Sequence, residues 1–214
     1  MFTAIEPHQY DKWSGILDQI YRLRKKTFHD ALKWDVPVDG DHERDAYDDL
    51  GPVYLTWHNP EGTKLYGTMR LMPTTGPTLL YDVFSNTFPD AAALSAPGIW
   101  EATRTCVHPG NLKEDFPHVP TWKAFGLIML ASAECGLRSG IHTIVSNYEP
   151  PLKRVYDRAG AIGEELGRSD GYGRYPVCCG AFEVSERVVH QMREKLGVRG
   201  PVFNTPEIPQ ILAA

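Results

Sequence analysis

The stretch TWKAFGLIMLASAECGLRS, residues 121 to 139, decides the fold. It follows Pro120 and stops at Gly140, and its apolar residues run around most of the circumference instead of along one stripe. That pattern predicts a helix buried against a sheet. On its C-terminal side, IHTIVSN (141 to 147) predicts a short strand, and Pro151 opens a second helix that Gly160 closes. A strand or turn at Ile162 to Leu166, a strand at Tyr175 to Val184 and a helix at Ser185 to Leu196, ended by Gly197, complete this half. Residues 198 to 214 hold three prolines and predict an extended tail. On the N-terminal side, Ile99 to Val107 predicts a strand, and 76 to 97 a strand with short turns. Pro52 to Trp57 and Lys64 to Met72 predict a hairpin, joined through Asn59, Pro60 and Gly62. Before it lie an acidic loop, Asp35 to Asp49, and an amphipathic helix between Tyr10 and Trp34. This order of helices and strands is that of an α/β (α+β) three-layer sandwich, expected as one domain over 1 to 214.

Composition narrows the function classes. The 214 residues carry 22 Lys+Arg against 27 Asp+Glu, a formal charge of -5, so no global field favours nucleic acid. Cys106, Cys135, Cys178 and Cys179 form no CxxC pair, and two are adjacent, where a bridge is strained; they read as reduced thiols of a cytoplasmic protein. Residues 1 to 25 lack a run of seven or more apolar residues, so neither a secretory signal nor a membrane span is expected. The eight histidines show no nucleophile motif and no metal-ligand spacing, so no metal is expected.

The polar residues concentrate in a few segments. On the first helix Arg24 lies on the apolar stripe with Tyr10, Trp13, Leu17, Ile20 and Phe28, so its guanidinium points inward and needs an acidic partner or an anionic ligand. In the hairpin, alternation puts Arg70 on one face with Tyr66, Thr68 and Met72. Glu101 and Arg104 are three apart, which in a regular strand puts them on opposite faces; their cooperation requires a bulge, expected near Ala102 or Thr103. ERDAYD (43 to 48) and WEATR (100 to 104), with Arg24 and Arg70, supply acids Glu43, Asp45, Asp48 and Glu101 and bases Arg24, Arg70 and Arg104. Converging, they would hold a zwitterionic amino acid; apart, they are a solvated loop and structural ion pairs. Phe28, Trp34 and Phe84 are either core or the walls of an adenine or sulfonium pocket. Lys153, Arg154 and Arg158 are either a solvated face or a dock for an acidic carrier or a phosphate.

Taken together, RxxxF (Arg24, Phe28), WDV (34 to 36), ERDAYDD (43 to 49), RLMPTTGP (70 to 77) and WEATR (100 to 104) resemble the acyl-homoserine lactone synthases, the LuxI type of autoinducer synthase. The match spans roughly 20 to 165, with five short motifs in the right order and gaps. The resemblance implies a fold similar to the GNAT acetyltransferase sandwich, with a mixed, mostly antiparallel sheet and an acyl tunnel between the strands at 99 to 107 and 141 to 147. It implies S-adenosyl-L-methionine and an acyl thioester as substrates, with no resident cofactor. By position Arg24, Phe28, Trp34, Asp45, Asp48, Arg70, Phe84, Glu101 and Arg104 correspond to the family's shared set. Phe28 and Trp34 would border the S-adenosylmethionine and acyl sites. Asp45, Asp48, Arg70, Glu101 and Arg104 would form the charge network beside the amine.

That chemistry needs a base, because the substrate's amine is protonated at neutral pH, and Glu101 is the candidate. Lactone closure needs chiefly a well-held carboxylate, positioned to displace methylthioadenosine. Arg154 and Arg158 sit where the resembling enzymes carry basic docking residues, so the resemblance favours an acyl carrier protein slightly over coenzyme A as donor. Thr143 and Ser146, on the tunnel strand, are candidates for bonding a 3-oxo or 3-hydroxy group, or else neighbouring backbone. Two rivals stand: a GNAT-type N-acetyltransferase using acetyl-CoA, disfavoured because no RxxGxG/A loop precedes the buried helix, and a regulator that binds S-adenosylmethionine without consuming it.

Overall fold

The computed structural model describes residues 1 to 205. Its central sheet has seven strands in the order β1 (Phe2–Ile5), β4 (Val53–His58), β5 (Leu65–Pro73), β6 (Ile99–Val107), β7 (Thr143–Tyr148), β9 (Val177–Glu183) and β8 (Gly163–Ser169), all antiparallel except the β6–β7 pair. The elements along the chain are β1 (Phe2–Ile5), α1 (Ser14–Arg24), β2 (Val38–Asp39), β3 (His42–Glu43), β4 (Val53–His58), β5 (Leu65–Pro73) and α2 (Leu79–Asp82). They continue as β6 (Ile99–Val107), α3 (Pro109–Asp115), α4 (Thr121–Arg138), β7 (Thr143–Tyr148), α5 (Lys153–Ala159), β8 (Gly163–Ser169), β9 (Val177–Glu183) and α6 (Glu186–Leu196).

Three layers result, as the element order predicts. On one face α4 and α6 press Leu127, Leu130, Val188 and Met192 against Leu55, Met69 and Leu71 of the sheet. The approach is close at β5, where a Cβ on Gly67 would lie 2.6 Å from Ile128 Cδ1. On the other face α1 lays Ile16, Leu17 and Ile20 over Tyr54, Leu65 and Cys106. The buried helix at 121 to 138 therefore agrees with the sequence reading, and all four cysteines are free and buried. No described helix is long and apolar enough to cross a membrane.

Several local expectations are corrected. The helix predicted from Tyr10 begins at Ser14, and from Lys25 to Ala31 it widens into a π-helix carrying Phe28. The acidic loop contains the small β2–β3 hairpin and a 3-10 turn, Ala46–Leu50. Residues 76 to 97 form no strand; they fold into α2 and two 3-10 turns, Ser85–Thr87 and Ala91–Leu94. Tyr66 does not share the face of Arg70. The β4–β5 register passes from Trp57↔Gly67 to His58↔Leu65, so Tyr66 is the extra residue of a bulge and stacks into the opposite core beside Trp57 and Phe116.

The edge strand β1 has no counterpart in the sequence reading; four residues, FTAI, are too few to show a period. Part of the predicted tail is tied down. The buried Glu134 of α4 accepts from the backbone amides of Val202 and Phe203 (2.8 and 2.9 Å) and from Arg193, and Phe203 bridges to Phe2. The remainder of that predicted tail, 206 to 214, lies outside the described residues.

Candidate active site

Three guanidiniums and three carboxylates interlock between α1, the loop before β4, and strands β5 and β6. Arg24 donates from Nε to Glu43 (2.5 Å) and from both Nη atoms to Asp48 (2.7 and 2.9 Å). Arg70 donates to Asp48 (3.0 Å), to both oxygens of Asp45, and from Nε to Thr103 Oγ1 (3.0 Å). Arg104 joins Glu43 (3.1 Å) to Asp45 (2.9 Å). Asp45 also caps the 3-10 turn, accepting from the Tyr47 amide, and the Tyr54 hydroxyl donates to Asp48 at 2.6 Å. Burial alone would raise Asp48, but its hydrogen bonds and charge interactions with Arg24 and Arg70 outweigh that and hold it well below the usual carboxylate range. The acids and bases expected to face a ligand thus face each other, and Arg24, with each of its nitrogens engaged and no exposed surface, does not line the mouth of the cavity described below. Asp45 and Arg104, at 8% and 9% side-chain exposure, are the members closest to solvent.

The bulge that lets β6 serve this network exists, one residue beyond the expected place. Thr68 pairs with Cys106 and Arg70 with Thr103, so the extra residue falls at Arg104–Thr105, and Arg104 takes φ +53. Glu101 stands opposite Met72, on the face of Arg70 and Thr103. Its two oxygens accept from the amides of Leu79 (3.1 Å) and Leu80 (2.6 Å), which fixes the start of α2. Burial raises Glu101 to about 7, against the opposing pull of those amides and of Arg70 and Arg104.

Strands β6 and β7 pair over three residues only, ending at Glu101↔Val145, and then part. Where the ladder ends, the Ser146 hydroxyl takes over from a backbone amide and donates to Ala102 O at 2.9 Å. A cavity opens in the fork. Its mouth is lined by Phe28, Trp34, Phe84, Thr103, Arg104 and Asn147. Phe28 and Trp34 are stacked at 5.2 Å, the Arg104 guanidinium lies 5.4 Å from the Phe28 ring, and Phe84 meets Tyr172 edge to face. Inward runs a narrow apolar slot of about 50 Å³ between the sheet and α4, α5 and α6, floored by Met69, Met129 and Met192. Ala102, Thr105, Phe125, Ser146 and Tyr156 line both parts.

Ser146 therefore reaches the slot, but Thr143 does not. Three residues apart on a regular strand, they face opposite ways, and Thr143 lies beside His142, Gly163 and Glu164 at the far end of β7. On α5, Arg154 is exposed, Arg158 lies 3.6 Å over the Trp122 ring, and Lys153 pairs with Asp157. Tyr54 and Asn147 lie in no motif, and Thr103 lies in WEATR without a role of its own; parity with Arg70 across β4 and β6 is the signal that could mark Tyr54 and Thr103. Among the described residues no cluster of His, Cys, Asp or Glu could hold a metal.

Two parallel strands that part over a helix-backed sheet, with an apolar slot in the fork, are the arrangement of the acetyltransferase-like sandwich class, and this molecule has that fold. The model of the autoinducer synthase family matches residues 8–192. The chain therefore belongs to the autoinducer synthases, acyltransferases that make acyl-homoserine lactones. An acyl-homoserine-lactone synthase of Rhizobium etli is 40% identical over 155 residues, 71% of this chain and 70% of that protein. One of Agrobacterium fabrum is 31% identical over 192 residues, covering 88% and 89%. Among solved structures, the CoA-dependent synthase MesI superposes with a TM-score of 0.80 at 20% identity, over 95% of this chain and 99% of its own. The CoA-dependent synthase BjaI, solved with SAM and isopentyl-CoA, gives 0.79 at 24% identity over 97% and 94%.

Proposed function

We propose that this synthase acylates the amino group of S-adenosyl-L-methionine from an acyl thioester and then closes the lactone, releasing methylthioadenosine. The observation that carries the reading is the junction at Ala102–Thr105. There an aromatic mouth, Arg104 of the charge network and the head of an apolar slot meet within one strand segment. The aromatic faces of Phe28, Trp34 and Phe84 suit a sulfonium and a purine. Asp45 and Arg104 are the network members that can bind the ammonium and carboxylate of the amino acid part. The acyl chain fills the slot, and backbone groups released where β6 and β7 part can stabilise the oxyanion.

The attacking amine must lose a proton, and Glu101 is the proposed base: a carboxylate raised to about 7 is poised for proton transfer at neutral pH. Each of its oxygens accepts one backbone amide, which leaves each a further lone pair to take the proton. In the second step the substrate's own carboxylate attacks the carbon bearing the sulfonium. Asp48, Arg70 and Arg24 act by holding Asp45 and Arg104 in place.

For the donor, an acyl carrier protein is slightly favoured by the exposed Arg154 and Arg158 of α5, the helix whose Tyr156 lines the mouth. Coenzyme A, the donor that MesI and BjaI are described as using, is the competing outcome. Mass spectrometry of extracts from cells expressing the chain should show the homoserine lactone fragment ion, with the acyl group read from its precursor mass. If purified protein, given S-adenosylmethionine and a panel of carrier and coenzyme A thioesters, yields no methylthioadenosine, the reading is wrong.

A further inference from the structure

Among the described residues only three buried side-chain polar atoms lack a hydrogen-bond partner, and one of them, Asn147 Oδ1, belongs to a residue lining the aromatic mouth. Its orientation follows from its neighbours. The Thr87 hydroxyl donates to Phe84 O at 2.6 Å, so Thr87 Oγ1 has only lone pairs left, and Asn147 Nδ2 donates to it at 3.0 Å. The opposite amide orientation would forfeit one of these bonds and bury an NH2 group without an acceptor. Thr87 is itself braced: a Cβ on Gly167 would lie 2.3 Å from Thr87 O, so β8 runs directly against this turn. The amide is therefore locked with its carbonyl oxygen free, and a buried acceptor left without a donor is costly.

Strand parity says which substrate it serves. Val145 and Asn147 share the face that packs on Leu80, Ala91 and Thr87, whereas Ser146 and Tyr156 belong to the acyl slot. Asn147 thus sits on the side of the amine substrate, at the edge of a space walled by the rings of Phe28, Trp34 and Phe84.

We propose that Asn147 Oδ1 reads the purine of the amine substrate, accepting from its exocyclic 6-amino group and so selecting adenine over 6-oxopurines. Asn147 Oδ1 is buried, so its contact with the base requires a neighbouring side chain of the mouth to shift. A 6-oxo purine would set its carbonyl against the fixed Oδ1. The inference rests on the proposed use of S-adenosylmethionine.

The test is calorimetry of the full chain with methylthioadenosine and with methylthioinosine. The wild type should prefer the amino form by roughly tenfold or more, as expected when a buried polar group is left unpaired. Asn147→Leu should weaken methylthioadenosine several-fold and bring the two ligands within about twofold of each other, with the KM for the acyl donor unchanged. Thr87→Val, which frees the amide to rotate, should reduce the discrimination as well, and it serves if Asn147→Leu does not fold. Equal binding of the two ligands by the wild type, or undiminished discrimination in the folded variants, overturns the role of Asn147. If the wild type binds neither methylthioadenosine nor S-adenosylmethionine, the substrate reading fails instead.

Discussion

At the level of single residues, Glu101 and Arg24 separate chemistry from support. With its value raised to about 7, Glu101 is half ionised near neutrality, so the acyl-transfer rate at low substrate should climb as pH passes through about 7. Glu101→Gln should cut product formation by at least about a hundredfold while far-UV circular dichroism stays that of the wild type. Near-normal turnover would remove Glu101 from the base role. The sign of the stability effect is also set: a raised carboxylate penalises the folded state once ionised, so the wild type loses stability as pH rises from the ordinary 4.5 through about 7, and the Gln variant does not.

Arg24→Ala acts differently. The sequence places Arg24 inward and suggests a substrate contact, but the guanidinium is enclosed by Glu43 and Asp48, so its loss leaves buried charge uncompensated. A destabilisation of about 3–5 kcal/mol in urea unfolding is expected, with weaker S-adenosylmethionine binding as its consequence. That Arg24 points inward was legible from a 3.6-residue period. What it meets there was not, because its partners lie 19 and 24 residues on, in a loop with no period at all.

Among the elements, β6 shows both the reach and the limit of parity arguments. Alternation alone calls for a bulge between Glu101 and Arg104; Glu101 to Thr103 pair regularly instead and the bulge falls at Arg104–Thr105, because its position is set by pairing with β5, which the strand's own residues do not encode. Because Arg104 sits at φ +53, its backbone is strained while its side chain holds two carboxylates. Arg104→Gly should relieve about 1 kcal/mol of that strain, so it should be more stable in urea than Arg104→Ala by about that amount, with both inactive. Equal stability of the two would show that the bulge relaxes when the side chain is gone. The segment 76 to 97 misleads for the converse reason: Thr, Leu and Tyr favour a strand locally, but two amides at Leu79 and Leu80 find a buried carboxylate on another strand, and a helical turn wins.

For the whole molecule, the sandwich follows from one all-round apolar helix and the order of elements about it, whereas the closing of the chain on itself does not. Glu134 reads as an odd acid in an apolar helix; in three dimensions it satisfies two tail amides and Arg193. Glu134→Ala should therefore cost roughly 2–3 kcal/mol and open the 198 to 205 segment to proteolysis. A protease pattern identical to the wild type would place the strength of that segment in Val202 and Phe203 alone.

The charge network of the cleft, three guanidiniums against three carboxylates, sums to zero, and so it casts little field beyond its own walls. Between about 0.1 M and 1 M salt the screening length contracts from about 10 Å to about 3 Å. Affinity for the small amine substrate should barely register that change. An acidic carrier drawn to Arg154 and Arg158 would feel it fully, its KM rising steeply. Ionic strength alone would then tell the two substrates apart, switching the supply of acyl groups while leaving the occupancy of the cleft untouched.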